Sequence, residues 1–145
     1  MKETVKVAAI QLFTRLGDSA ANIANCERLA LRAVHEGATW IALPEFFTTG
    51  VSWNPKIVDA IQNADGKAAS FLQDFSAKHK VILGGSFLCR LSDGSVRNRY
   101  LCYADGTLVG KHDKDLPTMW ENYFYEGGDQ TDSGLLGTHD NTRIG

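Results

Sequence analysis

The sequence is poor in the residues that build several specialised kinds of protein. Its cysteines, Cys26, Cys89 and Cys102, are odd in number, widely spaced and free of any C-x-x-C pattern, which argues against a disulfide framework and against a zinc site. The four histidines, His35, His79, His112 and His139, show no ligand-like helical spacing, so metal binding is not expected. No charge of one sign dominates: 15 Lys and Arg stand against 17 Asp and Glu, for a net charge of -2. Without a basic field there is no counterion-release energy to gain from a nucleic acid, and no nucleic-acid partner is expected. Long hydrophobic runs are missing too. The apolar stretch in MKETVKVAAIQLF is far shorter than the ~20 residues of a membrane span and has no small-residue cleavage site, so neither membrane insertion nor secretion is expected. Free thiols and the absence of a leader together point to a reducing, cytoplasmic setting.

What remains is ordinary globular material, 43% hydrophobic and 22% charged, enough for one domain or part of one. Val5 to Phe13 is mostly apolar, as expected for a strand buried on both faces of a sheet inside the core. Ile23, Cys26, Leu29, Ala30, Ala33 and Val34 then recur at three- and four-residue steps, the stripe of an amphipathic helix. Asp18 or Ser19 suits its N-cap, and Gly37 suits the position after its end. Trp40 to Leu43 reads as a short buried strand stopped by Pro44. A second helix from about Lys67 to His79 precedes the apolar run Val81 to Leu88, which repeats the alternation and predicts an α/β sheet with crossover connections. Two turn signals, Ser92-Asp93-Gly94 and Asp105-Gly106, bracket the strand formers Val96 to Ala104, so antiparallel strands are expected there. From Lys111 onward the sequence reads as polar loop.

Glu45 directly follows the strand WIALP, at the carboxyl edge where α/β sheets place their ligands. Alone it reads more readily as a solvated loop acid, and a functional role needs partners. Lys114 and Glu121 lie in GKHDKDLPTMWENYFYEGGD, where charged groups alternate with large apolar ones and a semi-apolar pocket is plausible. Lys114 by itself reads as a surface lysine, and the run Tyr123 to Tyr125 leaves three roles open: a substrate wall, core packing or a subunit contact.

Four ordered stretches, VAAIQL, LPEFFTTG, NRYLCYADGTLVGKHDKDLP and the E-x-x-[YF] that closes on Gly-Gly-Asp, resemble the nitrilase superfamily of carbon-nitrogen hydrolases from near Val5 to Asp129. The resemblance implies half of a four-layered α-β-β-α sandwich, a mixed sheet flanked by helices. It aligns Glu45 with the family's general base, Lys114 with its catalytic lysine and Glu121 with a second, supportive acid. It also implies hydrolysis of a nonpeptide C-N bond, a linear amide or N-carbamoyl amide, by a Glu-Lys-Cys triad without a cofactor. Nitrile hydrolysis and acyl transfer from the same intermediate stay open. Tyr123 and Phe124 are candidate substrate contacts, and a homo-oligomer is expected.

The chemistry suits those roles. A carboxylate can take the thiol proton and hand it to the leaving amine, and a fixed ammonium can stabilise the oxyanion of the tetrahedral intermediate. No stretch matches the family's cysteine element. Cys26 lies on a helical stripe, and Cys89 and Cys102 lie in or beside strand patterns, which makes each an inert small hydrophobe. Residues 1–145 are therefore expected to be the N-terminal part of the domain, cut before the nucleophile, with Thr142 to Gly145 opening the strand that leads to it. The alternative is an inactive module that acts in binding or oligomerisation. A nucleotide-binding fold fits less well, since Thr14 to Gly17 is no glycine-rich phosphate loop and Gly84-Gly85 sits inside a strand pattern.

Overall fold

The computed structural model describes residues 4–129, 137–139 and 142–144. Three strands, β1 (Val7–Ala9), β2 (Trp40–Ala42) and β4 (Ile82–Arg90), pair in parallel in the order β1-β2-β4. The sheet continues antiparallel through β5 (Val96–Ala104) and β6 (Thr107–Asp113). A sixth strand, β3 (Gln62–Asn63), pairs in parallel with Cys89 and Arg90 at the end of β4. A separate hairpin joins β7 (Gly137–His139) and β8 (Thr142–Ile144), so the segment expected to open a strand is one up to Ile144, and Gly145 lies outside the described residues.

The expected helices form where their stripes place them, as α1 (Ser19–His35) and α3 (Lys67–His79), with the one-turn α2 (Lys56–Asp59) between them. Asp18 caps α1 by accepting the Ala21 N–H at 3.0 Å, and Gly37 takes the left-handed conformation after its end. Both long helices cover one face of the sheet. Cys26, Ala30 and Ala33 of α1 and Ala68, Leu72 and Phe75 of α3 pack with Leu83, Phe87 and Cys89 of β4 and Leu101 and Tyr103 of β5. Each large aliphatic or aromatic side chain buried there contributes roughly 1.5–3 kcal/mol. The opposite face carries Ile82, Cys102 and Ala104, flanked by Trp40, Tyr100 and Val109. A third cluster, Phe46, Ile57, Leu88 and Tyr125, sits at the end of the sheet where the loops gather. The result is a mixed sheet flanked by helices.

Two expectations need correction. Regular pairing in the first apolar run is confined to β1, which among the described strands pairs with β2 alone. Ala8, Ile10 and Leu12 face the core, whereas Val5, Val7 and Phe13 are 49%, 63% and 90% exposed. An apolar run signals two buried faces only when neighbours cover both, and here one face is left open. The second correction concerns Lys111 onward: β6 runs through Lys111 to Asp113, because its pairing with β5 overrides the polar composition. The Asp105-Gly106 signal gives the β5–β6 turn, with both residues at positive φ.

The loop after β2 is tied down by a residue in the first turn of α1. Asn22, 1% exposed, accepts the Arg15 N–H at 2.7 Å and donates to the Arg15 carbonyl at 2.7 Å and the Thr48 carbonyl at 2.8 Å. The neighbouring Gly17 N–H donates to the Thr49 carbonyl at 2.9 Å. Removing the amide in Asn22→Ala takes the partner from the Arg15 N–H and the Thr48 carbonyl, while the Arg15 carbonyl keeps the Asp18 N–H, and a loss of about 1–3 kcal/mol is expected. Urea denaturation of the full natural protein measures it, and Glu27→Ala, at an exposed position of the same helix, serves as the control expected to change stability by less than about 0.5 kcal/mol.

Candidate active site

The chain beyond β2 keeps following β4 after regular pairing ends. Leu43 N–H donates to the Gly84 carbonyl at 2.8 Å, and Phe47 N–H to the Ser86 carbonyl at 3.1 Å. Between them Pro44 needs no acceptor and Glu45 is carried past the carboxyl end of β2. Phe46 takes a left-handed conformation, φ 54°, which costs a non-glycine residue about 1–2 kcal/mol. It is held there by Ser86, whose hydroxyl accepts the Phe46 N–H at 3.3 Å, and by its buried ring, 6.1 Å from that of Tyr125. Its carbonyl accepts the N–H groups of Thr49 and Gly50. The strain is offset by packing, and the turn it makes sets the position of Glu45.

Lys114 comes from the other side, one residue past β6. Its N–H donates to the Asn98 carbonyl at 2.9 Å and its carbonyl accepts the Gly128 N–H at 2.9 Å. Gly127 and Gly128 permit that approach, since a Cβ on either would lie 2.2 Å from the Asp115 carbonyl oxygen or 2.3 Å from that of Asp113. Beside it, Arg99 and Asp113 form a two-pronged ion pair across β5 and β6, at 2.7 and 2.8 Å. Glu121 is delivered by a 3₁₀ turn (Met119–Tyr123), whose capping box pairs the Thr118 side chain with the Glu121 N–H while the Glu121 carboxylate accepts the Thr118 N–H at 2.8 Å.

These three side chains meet. The Lys114 ammonium lies 3.2 Å from Glu45 Oε1 and 2.9 Å from Glu121 Oε2. Glu121 Oε2 also accepts the Tyr125 hydroxyl at 2.6 Å, and Glu45 Oε1 accepts the Asn98 amide at 2.7 Å. Exposure separates the two acids: the Glu45 side chain is 50% exposed, Lys114 30% and Glu121 12%. Glu45 therefore offers a carboxylate to an incoming molecule, while Glu121 is committed to three donors.

Charge follows from these contacts. Burial pulls the Lys114 ammonium down, but its hydrogen bonds to Glu121 and Glu45 and the Glu45 charge outweigh that, so it is held above the usual lysine range. Burial raises the Glu121 carboxyl, and the Tyr125 hydroxyl, the Thr118 N–H and Lys114 overcome it and hold the group below its ordinary value. Tyr125, pushed up to about 12 by burial and by the Glu121 carboxylate, keeps its proton for that bond. At neutral pH the arrangement is an ammonium clamped between two carboxylates.

A family model for carbon-nitrogen hydrolases matches residues 6–140. The chain belongs to the carbon-nitrogen hydrolase family. It is similar to a nitrilase of Pyrococcus abyssi, 28% identical over 130 residues that make up 86% of this chain and 48% of that protein. It is also similar to the omega-amidase YafV of Yersinia enterocolitica, 30% identical over 113 residues, 77% of this chain and 41% of that protein. Among solved structures, Nit3 of Saccharomyces cerevisiae, a member of branch 10 of the nitrilase superfamily, superposes with a TM-score of 0.78 at 25% identity, over 91% of this chain and 51% of that one. The chain thus spans about half the length of the relatives it matches.

Of the residues the sequence singled out, Glu45, Lys114 and Glu121 are brought together, and Tyr123 and Phe124 are not equivalent. Tyr123 is 74% exposed and stands edge-on to Trp53, with ring centroids 4.6 Å apart. Phe124 packs against the Phe46, Ile57, Leu88 and Tyr125 cluster and faces Trp120. Cys26, Cys89 and Cys102 are at most 2% exposed, and burial raises each thiol, to about 12 for Cys26 and about 11 for Cys102. That environment suppresses the thiolate. Asn98, the hydroxyl of Tyr125 and Thr118 escaped the reading from sequence. Thr118-x-x-Glu121 is a capping signature visible in the sequence, whereas nothing local marks Asn98.

Among the described residues, no helix is long and apolar enough to cross a membrane, and no group of three or more His, Cys, Asp or Glu could hold a metal ion.

Because the Glu121 pKa is lowered on folding, its contribution to stability is present above the unfolded value and is lost as pH falls through the folded one. The stability difference between the wild type and Glu121→Gln is therefore expected to be largest near neutrality and to shrink below about pH 4. Denaturant titrations of both proteins across that range check it, and a difference independent of pH would contradict the assignment of charge.

Proposed function

We propose that this chain forms the N-terminal part of a hydrolase domain acting on nonpeptide carbon-nitrogen bonds, and that it supplies the proton-transfer and oxyanion-stabilising groups. The observation that carries the reading is the convergence of two carboxylates of unequal exposure on the Lys114 ammonium, at 3.2 and 2.9 Å. The names of the relatives, a nitrilase and an omega-amidase, support a small-molecule amide or nitrile as substrate, with a linear amide or N-carbamoyl amide preferred.

In this reading the nucleophile is a cysteine thiol other than the three buried ones. Glu45, the accessible acid, accepts the thiol proton as sulfur attacks the carbonyl carbon. The carbonyl oxygen becomes an oxyanion, and the Lys114 N–H groups stabilise it. Glu45 then passes its proton to the departing amine as the C-N bond breaks and a thioester forms. Water attacks the thioester with Glu45 again as base, and the acid leaves with the thiol restored. Glu121 holds Lys114 in place and charged and takes no part in proton transfer, in keeping with its burial and its three donors. Tyr123, exposed and edge-on to Trp53, is proposed to border the substrate, with Phe124, also packed against Trp53, as a further wall. No cofactor enters these steps.

A second reading is favoured by the open side of β1, where Val5, Val7 and Phe13 are exposed: the chain binds a sibling subunit or another protein through this edge. Light scattering separates the readings, since this one requires an assembly of defined size that Val7→Lys with Phe13→Glu disperses.

In the full natural protein, Glu45→Gln and Lys114→Ala are each expected to lower amide turnover by about a hundredfold or more. Circular dichroism and unfolding midpoints should show that both variants fold. Hydrolysis of short linear amides and N-carbamoyl amides, followed by ammonia release, gives the rates, and wild-type turnover in both variants would overturn the proposal.

A further inference from the structure

The groups proposed to work on the substrate come from opposite sides of the sheet end, Glu45 from the loop after β2 and Lys114 from the end of β6. They are 69 positions apart in the chain. They meet directly at 3.2 Å, and a third residue contacts each of them. Asn98, on β5 opposite Leu88, donates its side-chain amide to Glu45 Oε1 at 2.7 Å, and its main-chain carbonyl accepts the Lys114 N–H at 2.9 Å.

We propose that Asn98 is a positioning residue, which holds the proposed base and the proposed oxyanion donor in register and fixes the face that Glu45 turns to the substrate. The inference rests on the reading of Glu45 and Lys114 given above. Asn98 is 2% exposed, so its amide cannot exchange Glu45 for bulk water. The orientation of the amide is determined by its partner, because turning it over would set Oδ1 against Glu45 Oε1, two acceptors face to face. In the orientation adopted, Oδ1 is buried and accepts no hydrogen bond from any described residue. A buried amide with one of its ends unpaired is uncommon, and the bond to Glu45 is the contact that fixes its orientation.

The consequence for Glu45 is directional. Oε1 is occupied by Asn98 and Lys114, so Oε2 is the oxygen left to accept and return the proton. The neighbouring Arg99, in its ion pair with Asp113, and Arg97, paired with Glu126, anchor β5 on both sides of Asn98.

The test uses the full natural protein with Asn98→Ala and Asn98→Asp, and Glu45→Gln beside them. Asn98→Ala deletes the donor without adding charge. Asn98→Asp keeps the shape but replaces the donor by an acceptor, so it serves where the alanine variant fails to fold. Both are expected to lower kcat by roughly tenfold or more while KM stays within about twofold. A merely structural asparagine would lower the unfolding midpoint and leave kcat per folded molecule unchanged, so the fall in kcat at constant KM is the signature of positioning. Wild-type kcat in a folded variant overturns the role of Asn98, whereas full activity of Glu45→Gln overturns the reading beneath it.

Discussion

An ammonium ion held between two carboxylates, on a sheet edge where four segments meet, is the interaction around which this molecule is arranged. Glu45, Lys114 and Glu121 are too far apart in sequence to find one another locally. Each is delivered by a different device: a left-handed turn at Phe46, a strand end clamped by Arg99 and Asp113, and a capped 3₁₀ turn. The backbone bonds from Lys114 to Asn98 and from Gly128 to Lys114 place the lysine between two strands of chain. Placing such charges together out of water is costly unless they are paired and hydrogen-bonded, and here the deeper acid gathers three donors while the outer one keeps half its surface open to solvent.

That division of labour gives two chemically different carboxylates from the same side chain. Glu121 is 12% exposed and spends one oxygen on three donors, which lowers its basicity and makes it a fixed negative charge. Glu45 is half exposed and leaves an oxygen uncommitted. The pattern is the general one in which environment, and not residue type, decides which acid moves protons. The aromatic rings of Trp53, Trp120, Tyr123 and Phe124 pack edge to face beside the 3₁₀ turn that carries Glu121.

Much of this could be read from the residues, and what could not has identifiable causes. Helices α1 and α3 follow from stripes at three- and four-residue steps, and the β5 hairpins follow from Asp93-Gly94 and Asp105-Gly106, because both signals are local. Glu45 could be placed at a strand end from the sequence WIALPE. Its partners could be named only through resemblance, since nothing in residues 110 to 129 has a period. Asn98 was invisible because its role depends on a register between β4, β5 and β6 that pairing, not composition, determines. The first strand misled for the converse reason: its apolar residues promise a neighbour on each face, and among the described residues only one side has it. The relatives are about twice as long as this chain, in keeping with a sheet that has an open edge.

The site depends on Lys114 and Glu121 acting as one unit. A double-mutant cycle with Lys114→Met, Glu121→Gln and the double variant, followed by equilibrium denaturation of the full natural protein at neutral pH, measures this directly. A coupling of about 1 kcal/mol or more is predicted for a pair held this closely. Costs that add within about 0.3–0.5 kcal/mol would mean that the two charges are neighbours without being partners, and would contradict it.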